Sequence, residues 1–203
     1  MEAVAEPETH PEPLCVRFVN SVDWRDDPVR RSDPLKSYSD LLHWARAAGA
    51  IPPGIARKLA HEAGQHPAAA QAAFTHAILV REALASVLAA AVQGNQPPAD
   101  DLRRFNAALG KSGEHLRLAG NKGEFRLDWD SDSSLERVLW PIVRSAADLV
   151  TSSDLQRLRI CEGEGCGWLF LDTTRNRSRR WCNMASCGNR AKVKRFYERH
   201  KQQ

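Results

Sequence analysis

The sequence lacks the long apolar runs that mark membrane segments. Its most apolar stretch, residues 77–92, contains Arg81 and Glu82 and falls short of the roughly 18 uncharged residues that a spanning helix needs. Residues 1–6, MEAVAE, have neither the basic start nor the apolar segment of a signal peptide. We therefore expect a cytoplasmic protein with no membrane contact.

Groups with a catalytic pattern are also lacking. The histidines at positions 43, 61, 66, 76 and 115 are scattered, and they do not form the pairs four residues apart that a helical metal site uses. Asp128, Asp130 and Asp132 alternate, but the glycine and the distal glutamate of a calcium-binding loop are missing. Because no acid and base converge by sequence, we expect the protein not to be an enzyme.

Cysteine is scarce and unevenly placed. One of the five, Cys15, is alone in the apolar run LCVRFV and fits a small buried side chain. The other four form two pairs, each with four residues between its members, separated by fifteen residues: Cys161, Cys166, Cys182 and Cys187. In a reducing cytoplasm, clustered cysteines bind metal more often than they cross-link.

This spacing suits a tetrahedral zinc ion held by two short turns. Four thiolates fill every coordination position, so such a site is structural and has no position open for a substrate. Gly167 and Gly188 follow the second cysteine of each pair and are expected to take a positive φ in the two turns. Two disulfides, or four unrelated core thiols, are the alternatives. The sequence predicts one structural Zn²⁺ per chain on these four cysteines.

Positive charge is concentrated at the C-terminal end. Residues 155–203 contain 12 Lys and Arg against 4 Asp and Glu, a net charge of +8. Residues 1–154 contain 17 Lys and Arg against 21 Asp and Glu, a net charge of −4. This asymmetry indicates a polyanionic partner for the cysteine-bearing segment.

The chain divides into three parts. Residues 1–13 are acidic and rich in proline, which predicts a disordered tail. Residues 14–153 predict a mainly α domain with a small β-hairpin of residues 115–119 and 124–130 around a turn at 120–123. An element of unassigned type at 14–24 precedes the helices, which are predicted at about 37–48, 53–64, 67–93, 100–109 and 135–150. We expect Pro141 to bend the last helix and residues 14 to about 150 to fold without metal.

Residues 154–203 predict a small zinc finger. Residues 168–171 read as a strand, and the chain after Asp172 turns back toward Trp181. The predicted order is knuckle, β-hairpin, knuckle and helix, which is treble-clef-like. A stripe of Val193, Phe196 and His200 on the terminal helix is expected to pack on that hairpin.

The finger resembles a known family. Residues 161–199, with CGWLFLD at 166–172, RRWCNMASCGNR at 179–190 and AKVKR at 191–195, resemble the CGNR zinc finger. That finger typically ends bacterial proteins with a mainly helical N-terminal ABATE domain, and LCVRFVNSVDWR at 14–25 is similar to the opening motif of that domain. The resemblance implies a stress-linked transcription regulator with zinc on the four cysteines.

We expect the finger to bind DNA while the helical domain senses a small-molecule or protein signal, or mediates assembly. Arg180 and Arg190 are also candidates for neutralising the zinc–thiolate cluster. The candidate phosphate contacts are Arg175, Arg177, Arg179, Arg180, Arg190, Lys192, Lys194 and Arg195.

Two other functions fit the same pattern. RNA or a ribosome could be the polyanion, with Trp168 or Trp181 as a stacking platform. Alternatively, zinc stabilises a protein-interaction module whose core is too small to form alone. In the opening motif, Asn20, Ser21 and Asp23 either line a ligand pocket or cap and turn the chain.

Overall fold

A computed structural model describes residues 12–121, 123–130 and 132–201. Residues 1–11 of the predicted tail lie outside this range, whereas Pro13 directly precedes the first helix. The elements are α1 (Leu14–Val19), α2 (Tyr38–Ala47), α3 (Pro53–Gln65), α4 (Pro67–Gln93), α5 (Ala99–Glu114), β1 (Leu116–Asn121), β2 (Glu124–Trp129), α6 (Trp140–Thr151), β3 (Leu158–Ile160), β4 (Leu169–Leu171) and α7 (Asn189–His200). The mainly α fold with a small hairpin is thereby confirmed.

Helix α4 is the centre of the helical domain. It contacts α1, α2, α3, α5 and α6, and its buried side chains include Val80, Leu84 and Leu88. By length and hydropathy alone α4 would also pass as a membrane span, a test that the core helices of soluble proteins pass too. Its packing against five helices identifies it as the core helix.

Helix ends follow local chemistry. The Ser37 hydroxyl accepts a hydrogen bond of 3.2 Å from the backbone N–H of Asp40 and caps α2. Gly94 ends α4 in the left-handed conformation, at φ 68°. The predicted bend at Pro141 is wrong, because a 3₁₀ turn (Leu135–Val138) comes first and Pro141 lies in the first turn of α6. A proline there removes no helical hydrogen bond.

The two hairpins are antiparallel and separate. In the first, Leu118 pairs with Leu127 and Gly120 with Phe125, while Lys122 of its turn lies outside the described residues. In the second, β4 pairs with β3, so that Ile160 faces Leu169. The sequence predicts that β4 pairs with the chain that follows it toward Trp181, and this prediction is wrong. The first cysteine pair lies inside the loop of the β3–β4 hairpin instead of before it.

The second hairpin belongs to the core of the helical domain. Leu158 is fully buried and Leu169 nearly so, and both pack in the cluster formed by α1, α4 and α6. The Glu12 carboxylate, just before α1, accepts a hydrogen bond of 2.9 Å from the backbone N–H of Leu171. The helices therefore bury apolar surface that comes from beyond residue 153, which argues against independent folding of residues 14–150.

We predict that Leu158→Ala destabilises the whole chain by about 2–5 kcal/mol, because it leaves a cavity in the shared core. Val193→Ala is the matched control, since Val193 lies in the same C-terminal segment but is 54% exposed. Urea unfolding followed by far-UV circular dichroism measures both. Equal midpoints for the two variants would show that β3 contributes nothing to the helical core.

Candidate metal centre and basic surface

The four predicted cysteines converge. Their Sγ atoms all lie within 4.8 Å of one another. The Sγ atoms of Cys166 and Cys182 are 3.8 Å apart, and those of Cys182 and Cys187 are 3.7 Å apart. A zinc ion with bonds of about 2.3 Å separates its sulfur ligands by about 3.8 Å. All four thiols are free, so this structure does not contain the alternative disulfides. The donor set fits a closed tetrahedral zinc site.

Hydrogen bonds prepare one ligand for the metal. The Sγ atom of Cys161 accepts from the backbone N–H groups of Cys182, at 3.3 Å, and Gly163, at 3.4 Å. Thiol donation from Cys166 and Cys182, together with these N–H groups, holds the pKa of Cys161 well below its usual value. Zinc binds the thiolate form and displaces the thiol protons of Cys166 and Cys182, so the two backbone N–H groups are the donors that still favour the thiolate of Cys161 when metal is bound.

Glycines let the backbone approach the cluster closely. The prediction for Gly167 is confirmed, since its φ is 65°, whereas Gly188 is helical with a φ of −62°. A Cβ on Gly188 would meet only the flexible, exposed side chain of Met184, which can move aside. Gly163 is the glycine whose size matters, because a Cβ there would lie 2.9 Å from the Sγ atom of Cys187.

Arg190 neutralises the cluster and links it to the N-terminal domain. Its Nη2 lies 2.9 Å from the Sγ atom of Cys187, as the sequence predicts. Its guanidinium carbon is 4.5 Å from the centre of the Trp24 ring, and that of Arg30 is 3.9 Å from the same ring. Arg180 is placed differently: its Nε donates to Glu162 at 2.6 Å.

The loop between the cysteine pairs is organised by Asp172. This carboxylate is fully buried and accepts from the backbone N–H groups of Thr174, at 3.0 Å, and Arg179, at 2.9 Å. Burial opposes its ionisation, but the hydrogen bond from the Thr174 hydroxyl, these two N–H groups and the charge of Arg159 together outweigh burial and lower the pKa of Asp172. The loop is therefore anchored at both ends.

Arg179 is occupied within the finger. Its guanidinium donates to the carbonyl oxygens of Trp181 and Cys182 and lies 4.7 Å from the centre of the Phe170 ring. Arg179 is a predicted phosphate contact, but its half-buried guanidinium is held by these carbonyl groups of the second knuckle.

Other predicted cations do face solvent. Arg175, Arg177, Lys192 and Arg195 are exposed, and within the described part of the chain no carboxylate lies at ion-pair distance from them. Lys194 instead pairs with Glu164 at 2.8 Å. The free cations lie on the loop after β4 and on α7.

The two tryptophans beside the cysteines are partly enclosed. Trp168 donates from Nε1 to the carbonyl oxygen of Val22 at 2.8 Å, and both Trp168 and Trp181 pack against the buried cysteines. The guanidinium groups of Arg180 and Arg195 lie over Trp181, at 5.3 and 5.8 Å from the ring centre. These contacts favour packing roles over base stacking for the two rings.

The apolar stripe of α7 faces solvent. Val193 is 54% and Phe196 52% exposed, and the Phe196 ring contacts only the neighbouring rings of Tyr197 and His200 among the described aromatic groups. The prediction that this stripe packs on the hairpin is wrong. The opposite side of α7, which includes Ala191, faces the cysteine cluster across a cleft of about 290 Å³.

The opening motif joins the two parts of the chain. The Asn20 side chain makes two hydrogen bonds to the backbone of Leu169, donating at 2.7 Å and accepting at 3.0 Å. The Ser21 hydroxyl accepts from Arg81 at 3.1 Å. Asp23 bridges to Ser32 through backbone hydrogen bonds of 2.8 and 3.0 Å. These contacts favour the turning role of this motif over the ligand-pocket role.

We define residues 20–33 as the connector. A network of charged side chains, centred on buried Arg81, holds the connector against α4. Arg81 of α4 is 1% exposed and pairs with Asp33 at 2.5 Å. Its neighbour Glu82 accepts from Arg25 at 2.5 Å. Sequence reasoning missed these partners. The signal was present, because two charges inside the apolar run of the longest helix require partners when buried.

The connector in turn covers the first cysteine knuckle. The backbone N–H of Arg25 donates to the carbonyl oxygen of Cys166 at 3.1 Å, and that of Asp26 donates to the carbonyl oxygen of Gly165 at 3.3 Å. A Cβ on Gly165 would lie 2.8 Å from the Cβ of Asp27, and one on Gly167 would lie 2.7 Å from the Asp26 carboxyl group. The two backbone segments are hydrogen-bonded, and the side chains of Asp26 and Asp27 occupy the space that a Cβ on either glycine would need.

The chain thus combines a mainly helical domain with a four-cysteine finger, and both parts match known families. The chain belongs to the ABATE family, whose model, described as "Putative stress-induced transcription regulator", matches residues 12–153. The CGNR zinc finger model matches residues 157–200. The resemblance of the sequence to both families is thus confirmed. No curated protein matches the chain.

We predict that Arg190→Ala lowers zinc affinity by about 10- to 100-fold, as is typical when a group that orients metal ligands is removed. Lys192→Ala is the matched control, because it removes an exposed cation two residues away on α7. Competition with a colorimetric chelator measures both affinities. Equal zinc affinity for the two variants would contradict the role of Arg190 at Cys187.

Proposed function

We propose that this protein is a transcription regulator that binds duplex DNA through its finger and holds one structural zinc ion per chain. The observation that carries the proposal is the set of exposed cations without acidic partners at ion-pair distance within the described residues, on a segment of net charge +8: Arg175, Arg177, Lys192 and Arg195. Phosphate groups are the partners that such cations suit.

Part of the net positive charge of the finger is used in contacts within the finger itself. A zinc ion with four thiolates carries a formal charge of about −2, and Arg190 contacts one of those sulfurs. Arg179, Arg180 and Lys194 are also engaged inside the finger. The four free cations remain after these are set aside, and the net charge of −4 on residues 1–154 would orient the finger toward a polyanion.

The connector supports a regulatory role for the helical domain. It bonds both to α4, through Arg81 and Glu82, and to the knuckle at Cys166. A small-molecule or protein signal that shifted α4 would therefore displace the backbone beside the metal centre. The enclosed tryptophans make RNA the weaker choice of nucleic acid.

A protein-interaction module is the second candidate. The exposed stripe of Val193, Phe196 and Tyr197 on α7 favours it, because contiguous apolar surface of this kind often contacts protein. The stripe lies beside the free cation Lys192, so a protein partner for it would be acidic as well as apolar.

We predict one zinc per chain, and that Cys161→Ser greatly reduces bound zinc and lowers the melting temperature. Metal binding contributes folding free energy on the order of 10 kcal/mol in structural sites. Cys15→Ala is the control, since Cys15 is buried in the helical core away from the cluster. Elemental analysis with thermal melts measures both. Well under one zinc ion per chain in the wild type, or a full zinc ion per chain in Cys161→Ser, would contradict the proposed zinc site.

We predict that Arg175→Ala/Arg177→Ala weakens duplex binding and flattens the slope of log affinity against log salt by about 1.8, or about 0.9 for each phosphate contact. Zinc content should be unchanged, because both side chains are exposed. Arg179→Ala is the matched control from the same loop. It should lower finger stability, since two carbonyl groups lose their donor.

Fluorescence anisotropy on duplex DNA and on single-stranded RNA, across a salt series, provides the readout. Preferential binding to RNA would favour the ribonucleoprotein alternative. If the wild type binds no nucleic acid at low salt, or if the double variant binds duplex DNA as the wild type does, the DNA-binding function fails and the interaction module takes its place.

A further inference from the structure

The N-terminal end of the described chain is attached to the finger. Glu12 directly follows residues 1–11, which lie outside the described residues. Its carboxylate accepts a hydrogen bond of 2.9 Å from the backbone N–H of Leu171 in β4. Burial raises the pKa of Glu12, and the N–H of Leu171 and the positive charge of Arg179 oppose this rise. Glu12 therefore lies within the electrostatic field of the basic segment.

The direction of the chain here is defined by two contacts with β4. The Asn20 side chain, just after α1, bonds to the backbone of Leu169. Glu12, just before α1, bonds to the backbone of Leu171. Followed backwards from residue 20 to residue 12, the chain thus passes along β4 from Leu169 to Leu171. A continuation in that direction leads to the residues that follow β4.

Those residues form a short loop that is held close to the end of β4. We define residues 173–178 as the basic loop. The buried Asp172 carboxylate accepts from the backbone N–H groups of Thr174 and Arg179, so it anchors the loop on both sides. Every residue of the loop is within three residues of an anchored position, a distance of at most about 10 Å. The loop therefore stays near the point where Glu12 meets β4.

The charges of the two segments are opposite. Residues 1–11 contain three glutamates and no lysine or arginine. The nearest of them, Glu8, is four residues before Glu12, which is at most about 14 Å of extended chain. Arg175 and Arg177 of the basic loop are exposed, and within the described part of the chain no carboxylate lies at ion-pair distance from them. The acidic residues thus reach cations that lack acidic partners among the described residues.

The other surface beside the start of α1 is less suitable for an acidic segment. Pro13 also lines a groove at the base of the β1–β2 hairpin. The charged residues of that groove are one arginine, Arg144, and two aspartates, Asp148 and Asp154. Arg144 pairs with Asp148 at 2.8 Å, so the remaining charge is negative. Electrostatics therefore favours the basic loop over the groove for residues 1–11.

We propose that residues 1–11 bind the basic loop when no nucleic acid is present, with their glutamates at positions that phosphate groups take in a complex. The tail is then an intramolecular competitor of duplex DNA, a role that rests on the proposed function. Because Glu12 tethers the tail beside the loop, its effective concentration there is about millimolar. Ion pairs that are individually weak are sufficient at such a concentration, and both salt and a polyanion release the tail.

Proton–nitrogen correlation spectra of the zinc-loaded full chain, at low salt and without nucleic acid, test the contact. The tail variant Glu2→Gln/Glu6→Gln/Glu8→Gln should shift the backbone amide signals of residues 173–178. The control variant Asp101→Asn/Glu114→Gln/Glu124→Gln makes the same change of net charge at exposed positions on α5 and β2 and should leave those signals in place. Loop signals that do not respond to the tail variant, or that respond equally to both variants, overturn the proposal.

Fluorescence anisotropy on duplex DNA tests the competition. At low salt, the tail variant should bind about threefold or more tightly than the control variant, because exposed ion pairs of the tail no longer compete. The difference should decrease as salt rises, because screening releases the tail of the control variant as well. Equal affinities of the two variants at low salt overturn the role of the tail as a competitor.

The two experiments separate this inference from the proposed function. If the loop signals respond to the tail but the wild type binds no duplex at low salt, the contact between tail and loop is supported and the DNA-binding function fails. If the wild type binds duplex DNA but the loop signals do not respond, the DNA-binding function stands and the contact is overturned.

Discussion

The position of the connector depends on two adjacent charges in the middle of α4. A buried arginine is tolerated only when it is paired, and Arg81 meets this requirement with Asp33 and Ser21. Glu82 is shared by Arg25, Arg31 and Arg81. Breaking such a network by removing one partner typically costs about 3–5 kcal/mol, because it leaves an uncompensated charge. The core helix therefore fixes the path of residues 20–33, and that path places backbone donors against the first knuckle.

The metal centre and the helical domain are consequently in direct contact. The knuckle receives hydrogen bonds from the connector, while β3 and β4 place Leu158 and Leu169 among the helices. Any ligand that binds only the folded state stabilises everything that folds with it. Zinc held at the cysteines would thus stabilise α1 and α4 as well as the finger, although neither helix supplies a ligand.

Much of this could be predicted from the sequence, where local chemistry decides the outcome. The cysteine spacing identified the cluster, and the proline at residue 67 with the glycine at residue 94 bounded α4 correctly. Most of the remaining features depend on contacts between residues that are distant in the sequence. Strand β3 has three residues, too few to show the alternation of apolar and polar residues that marks a strand. Its pairing with β4 could therefore not be predicted. Arg179 and Arg177 look alike in sequence, and they differ in the structure because Arg179 donates to carbonyl groups of the second knuckle whereas Arg177 is exposed.

The close approach of the connector to the knuckle has an evolutionary consequence. Zinc fingers are often regarded as modules that recombination can move between proteins. Here Gly165 and Gly167 lie against Asp27 and Asp26 with no space for a Cβ, although about 140 residues separate the two segments in the chain. A finger grafted onto another helical domain would lose this fit, and so would a helical domain given another finger. We therefore expect the connector and the finger to be inherited together, with substitutions in one restricting those accepted in the other.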